Sequence, residues 1–204
     1  MGLHSSYEQH RSDLRDKEGR ARVNVASIGR HMVETEIIAL IKERFSGRIE
    51  ASYSTHGNDT IVISRTEVVD IFRELKQLPE FAFDLLIDIT AVDFLGKDHR
   101  FELIYQLQSL RHNHRLRVKV PLPNDDLCAP SASSVWKSAN WLEREVWDMF
   151  GIKFDDHPDL RRILMYEEFV GHPLRKDYPV NKRQPLVEER DPILNPWTEK
   201  EKDG

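Results

Sequence analysis

Two glutamates and a histidine raise the first chemical question. Glu143 and Glu145 stand close together and His157 follows them, and paired carboxylates beside an imidazole are what a hydrolase uses for acid–base work. On a helix, however, residues two apart point about 200° away from each other. The carboxylates cannot then converge on one substrate atom. No serine elbow, H-E-x-x-H run or phosphate-cradling loop accompanies them. Structural ion pairing accounts for them better than a freestanding hydrolase working through Glu145 and His157.

Other candidate chemistry is thin. His112 and His114 flank Asn113 in a polar turn, and further ligands at a recognisable metal spacing are missing. The nine glycines form neither a dinucleotide fingerprint nor a P-loop. Cys128 is the single cysteine, which forbids an intramolecular disulfide and any site needing two cysteine ligands, such as an ordinary iron–sulfur cluster. No catalytic residue, bound cofactor or metal is therefore expected.

The acids instead ask for partners. Glu143, Glu145 and Asp148 fall in the last two turns of a helix that ends at Phe150, where the macrodipole disfavours carboxylates by roughly 0.3–1 kcal/mol each. Arg144, Arg161, Arg162, Arg175 and Lys176 are the available cations, and arginine can hold a carboxylate through two parallel hydrogen bonds. A folded-back charge network centred on the three acids is expected. In it, loss of Arg161 or Glu145 costs well beyond the ~0–1 kcal/mol of an exposed pair.

The elements that would position these groups follow from periodicity. Val33, Ile37, Leu40, Ile41 and Phe45 predict a helix over residues 32–45, stopped at Gly47. Alternation over 49–53 and 60–64 around Gly57-Asn58-Asp59 predicts a hairpin. Ser64-Arg65-Thr66-Glu67 has the capping-box pattern and opens a second helix that ends before Pro79. Strands over 83–94, 101–109 and 115–121 form a meander.

In the third strand Leu116, Val118 and Val120 alternate with Arg115, Arg117 and Lys119, a basic stripe read as a solvated face that discourages edge pairing. Serines 131, 133 and 134 offer a cap for a helix about 27 Å long running to Phe150. Val135, Ala139, Leu142, Val146 and Met149 make its seam, widened by Trp136, Trp147 and Phe150. Trp141, Trp147 and Tyr178 are read as packing or interface residues.

The predicted class is α+β. It has a mixed or antiparallel sheet, an N-terminal helix–hairpin–helix part, a three-strand meander, a long C-terminal helix and an extended irregular tail. Residues 1–31 are a polar mobile leader, 32–179 the domain, and 180–204 a proline-rich tail whose Leu186, Ile193, Leu194 and Trp197 need a surface to lie on. A net charge of -5 gives no long-range pull toward nucleic acid or an anionic membrane. No run reaches the roughly 18–20 apolar residues of a membrane span, and the best one is broken by Asp84, Asp88 and Asp93.

Glu143-Arg144-Glu145, then Asp148-Met149-Phe150-Gly151-Ile152, then His157-Pro158 with Arg161, Ile163 and Leu164, resembles the signature of the 30 kDa (C-type) subunit family of the proton-pumping NADH:quinone oxidoreductase, respiratory complex I. A second block, Gly171-His172-Pro173-Leu174-Arg175-Lys176-Asp177-Tyr178-Pro179, is similar to the same family, as are the strands from Asp88, Phe101 and Leu116. The likeness runs collinearly over 32–179. It departs after Pro179, where Val180-Asn181-Lys182-Arg183-Gln184-Pro185 replaces the Thr-Gly-Tyr-type continuation of many relatives.

The resemblance implies a structural subunit of the hydrophilic arm, peripheral on the cytoplasmic side of a bacterial inner membrane. Its main contact would be the quinone-site subunit of the 49 kDa (D) type, with the iron–sulfur components B and I nearby. The complex would use FMN, iron–sulfur clusters, NADH and quinone, none of them bound by this chain. Carried over by position, Glu143, Arg144, Glu145, Asp148, Phe150, His157, Arg161, Gly171, His172, Pro173, Arg175, Lys176, Asp177 and Tyr178 become structural or interface residues. The homologous subunit of a membrane-bound hydrogenase or formate hydrogenlyase is the alternative.

Overall fold

Strict alternation in two segments builds the middle of the sheet. Strands β4 (Phe101–Ser109) and β5 (His114–Leu122) bury every second side chain over most of their length, because successive residues of a strand point to opposite faces. They pair antiparallel from Phe101↔Leu122 to Ser109↔His114. β3 (Leu85–Asp93) lies antiparallel on the far side of β4. β1 (Ile49–Thr55) and β2 (Asn58–Ile63) form the expected hairpin. β2 then pairs with β5 in parallel, giving a mixed sheet of order β1-β2-β5-β4-β3.

This computed structural model describes residues 35–185. The leader over 1–31 and the tail from 186 onward, with Leu186, Ile193, Leu194 and Trp197, lie outside the described residues. The order of the sheet corrects one expectation. β5 is the central strand, so its basic stripe guards no edge. Lys119 instead reaches Glu102 on β4 at 2.9 Å, an ion pair by distance without hydrogen-bond alignment.

Helix α1 (Glu36–Arg44) buries Ile37, Ile38 and Ile41, and α2 (Val68–Gln77) buries Val68, Ile71, Phe72 and Leu75. These join Leu103, Tyr105, Leu107, Leu116, Val118 and Val120 in one core. Phe72 meets Tyr105 edge-on at 4.8 Å and Trp136 at 5.3 Å. The capping box does not form. Arg65–Glu67 is a 3-10 turn without a side-chain cap, because the Glu67 carboxylate is taken by Arg48 Nε at 2.5 Å.

The last helix is shorter than its periodicity predicts. α3 spans Ala139–Phe150, 12 residues, about 18 Å. Before it, Ser131 accepts from the Ser133 amide and holds a separate 3-10 turn, Ala132–Ser134. Trp136 leaves the helical path so that its Nε1 donates to Phe83 O at 3.2 Å. β6 (Cys128–Pro130) and β7 (Lys153–Asp155) add an unforeseen parallel pair. No helix among the described residues is long and apolar enough to cross a membrane.

Candidate interaction site

α3 carries three charged side chains inward, and each is satisfied differently. Glu143 is fully buried and points back to the preceding turn. Its Oε1 accepts from the Ala132 amide and its Oε2 from Ser131 Oγ, both at 2.6 Å. Burial pushes its carboxyl up to about 7, against the lowering effect of those two bonds. His157 Nε2 is 3.9 Å from Glu143 Oε2. The imidazole accepts from the Asp159 amide at Nδ1, which leaves Nε2–H to donate to Asn140 O. That assigns a neutral tautomer rather than an ion pair.

The Tyr105 hydroxyl is buried without a hydrogen-bond partner. Burial first, and then the Glu143 charge, raise its pKa well above the ordinary tyrosine value.

Asp148 is the true centre of the ion network. Arg162 Nη1 donates to Oδ1, and the amides of Ile163, Leu164 and Met165 donate to Oδ2 at 3.1, 2.9 and 2.8 Å. Burial alone would raise this carboxyl. The Met165 amide, Arg162 and the other two amides outweigh it and hold the group below its ordinary value. Arg162 Nη2 continues to the carbonyls of Phe169 and Gly171. One carboxylate thus pins the chain after α3 to the helix end.

The expected network is corrected at its other members. Glu145 is exposed and makes no ion pair among the described residues, and Arg161 is exposed beside Asp159 at 2.8 Å. Arg144, only 7% exposed, donates to the carbonyls of Arg161 and Arg162 and lies over the Trp141 ring. Phe150 belongs to the core. The catalytic geometry is also absent, since His157 approaches Glu143 and not the exposed Glu145.

A second knot fastens residues 171–179. Arg100 grips the buried Asp93 with Nε and Nη2, at 2.9 and 2.8 Å, and reaches Asp177 with Nη1 at 2.8 Å. The Lys176 amide donates to Asp93 Oδ2 at 2.8 Å. Hydrogen bonding from Arg100 draws Asp93 below its ordinary value and Asp177 down to about 2. Arg175 stacks over Phe101, 5.1 Å from the ring centre, and pairs with Asp177, and among the described residues neither Arg175 nor Lys176 pairs with an acid of α3.

Two glycines permit the close fit. Gly151 ends α3 at φ 77, and a Cβ there would meet His172 Cδ2 at 2.6 Å. His172 Nδ1 donates to Asp148 O, and the Leu174 amide donates to Met149 O. Gly171, at φ 104, leaves room for the Tyr178 ring, which would stand 2.8 Å from its Cβ. Tyr178 stacks on Phe169, and Gln184 Nε2 donates to its hydroxyl. Pro173 is half-buried between them in sequence.

On these same segments Trp141, Leu164, Tyr166, Val170 and Leu174 stay exposed. His112 and His114 stack in their turn, His112 Nε2 meets Pro79 O, and no metal-holding group of three or more donors occurs among the described residues. The arrangement fastens the segments after α3 to the end of that helix and to β3 and β4.

Sequence reasoning misses Asp93, Arg100, Ser131 and Tyr105 as members of the site. In the sequence Asp93 is visible as a charge interrupting an apolar run and as the end of a strand block that resembles the family, and nothing in the spacing couples it to Asp177.

Known proteins share this chain's pattern. Residues 61–184 match the family model described as the respiratory-chain NADH dehydrogenase, 30 Kd subunit. The chain is 48% identical over 141 residues to the C subunit of NADH-quinone oxidoreductase from Geobacter sulfurreducens, covering 69% of this chain and 86% of that protein. It is 41% identical over 155 residues to the combined C/D subunit of the same oxidoreductase from a Psychrobacter species, covering 72% of this chain and 26% of that longer one. A solved trypsin-resistant fragment of Nqo5 aligns with a TM-score of 0.53 at 31% identity, over 62% of this chain and 100% of the fragment.

Proposed function

The chain belongs to the 30 kDa, or C-type, subunit family of the respiratory-chain NADH dehydrogenase, and from that premise we propose that it is a non-redox structural subunit that docks on the 49 kDa-type quinone-site subunit. The observation that carries docking is the relative named C/D, in which the matched part shares one polypeptide with the D component. A single cysteine and the absence of a convergent donor set among the described residues support a chain without a redox centre of its own. FMN, iron–sulfur clusters, NADH and quinone then belong to other subunits.

In this reading Glu143, Arg144, Asp148, His157, His172 and residues 175–178 set the shape of the docking surface, and Glu145, Arg161 and the exposed apolar residues face outward. The chain sits peripherally on the cytoplasmic side of the inner membrane, with the iron–sulfur components B and I beside the quinone-site subunit. Affinity isolation of the tagged full chain from native membranes tests this. Flavin-containing NADH-oxidising subunits together with the quinone-site subunit are expected. A nickel-containing large subunit in their place would overturn the assignment in favour of the hydrogenase homologue. Hydrolytic activity of the chain alone, abolished in a folded Glu145→Gln variant, would overturn it in favour of an enzyme.

A further inference from the structure

Arg144 is a buried cation without a counter-ion. The residue is 7% exposed, and among the described residues its guanidinium touches two backbone carbonyls and the face of Trp141 but no carboxylate. Carbonyls orient a guanidinium without neutralising it, and a charge held out of water is stable only when paired. Nη1 makes no bond to a described residue, yet it is not closed off from solvent.

Arg144 lines an open pocket of about 320 Å³ together with Trp147, Leu160, Arg161, Arg162 and Glu167. The other two guanidiniums already have acids: Arg162 holds Asp148 and Arg161 holds Asp159. Glu167 is exposed and pairs with none of the three within ion-pair distance. One uncompensated positive charge is left, over an indole, with Trp141 standing 61% exposed nearby. Arginine and tryptophan around a pocket are the usual anchors of a protein interface.

We propose that this pocket receives one aspartate or glutamate side chain of the quinone-site subunit, which pairs with Arg144 and is flanked by Arg161. A single carboxylate matches the single surplus charge, and the guanidinium fork gives it a fixed orientation. The inference rests on the docking reading above and assigns that docking its acidic anchor.

Carbodiimide, which joins an amine directly to a carboxylate with loss of water, tests it in the complex isolated from native membranes. Arg144→Lys puts an amine in the pocket, and Arg161→Lys puts one on its exposed rim, where the fold is not at stake. The expected result is a coupled peptide joining position 144 or 161 to an acidic residue of the quinone-site subunit, absent from the wild-type complex. If that subunit co-purifies but both positions couple only within this chain, to Glu145, Asp159 or Glu167, the pocket is not the anchor. If Arg144→Lys does not fold, the rim variant alone decides by the same outcomes. Failure of the quinone-site subunit to co-purify with the wild-type chain would instead strike the docking reading itself.

Discussion

The His172 ring stands where a Cβ on Gly151 would have to be, with its Cδ2 and Nε2 2.6 and 2.7 Å from that position. Gly151→Ala therefore carries two penalties. The left-handed backbone costs roughly 1–2 kcal/mol for a residue with a Cβ, and displacing His172 also breaks its bond to Asp148 O, about 1 kcal/mol more. Gly96 is the internal control, since it too has positive φ but open space around it. Urea unfolding should show Gly151→Ala losing clearly more stability than Gly96→Ala; equal losses would remove His172 from the account.

Asp148 and Arg161 separate the real network from the expected one. Asp148→Ala strips Arg162 and three amides of their acceptor, and removing one partner of a buried pair costs about 3–5 kcal/mol. Arg161→Ala breaks only an exposed pair with Asp159, worth about 0–1 kcal/mol. Asp148 has a lowered pKa, so its contribution is complete above the ordinary aspartate value of 3.8 and is lost as pH falls through its folded value. Chemical denaturation of the two variants at neutral pH is the measurement, and comparable losses would contradict the geometry.

Glu143 produces a slope of the opposite sign. Its pKa rises on folding from 4.5 to about 7, so the native state binds more protons than the unfolded chain between those values. The associated stability is complete below about pH 4.5 and declines as pH rises through about 7, by at most on the order of 3 kcal/mol. Glu143→Gln keeps an acceptor for the Ala132 amide, reverses the Ser131 bond so that Nε2 donates to Oγ, and removes the titration. Stability curves from pH 5 to 8 should flatten in that variant. An unchanged slope would assign the pH dependence elsewhere.

Arg100 fastens residues 171–179 to the strands. Arg100→Gln leaves Asp93, whose side chain is 2% exposed, as a buried charge with one amide donor. The bond from the Lys176 amide to Asp93 should then open more often. Hydrogen exchange at that amide is expected to quicken at least tenfold, with amides in the middle of β4 and β5 little changed. Uniform acceleration across the sheet would mean global destabilisation and no local clasp.

Much of this fold is legible from local patterns. The period-2 alternation of β4 and β5 needs no tertiary information, since both faces of each strand announce themselves. The blocks around Asp148 and His172 stand out because glycine, histidine and aromatic residues rarely crowd together without a geometric reason. What stays hidden is pairing at a distance. Spacing cannot tell that Arg100, at the mouth of β4, holds both Asp93 and Asp177. Nor can it tell that Glu143 chooses a serine and an amide over an arginine. The predicted length of α3 fails for a related reason. The apolar period runs through Val135 and Trp136, but Trp136 needs an acceptor for its indole N–H and finds Phe83 O off the helical path.

The parallel pairing of β2 with β5 has a kinetic side. β3 and β4 lie between them in the chain, and β5 pairs with β4 on one edge and with β2 on the other. The meander closes through short turns, whereas the N-terminal hairpin waits for a long loop to close and its entropy to be recovered. During synthesis the hairpin therefore emerges with the edge of β2 unpaired, and that edge stays open until the fifth strand leaves the ribosome. Because β5 is the neighbour that joins β2 to β4, the hairpin has no place in this sheet before the fifth strand has been made.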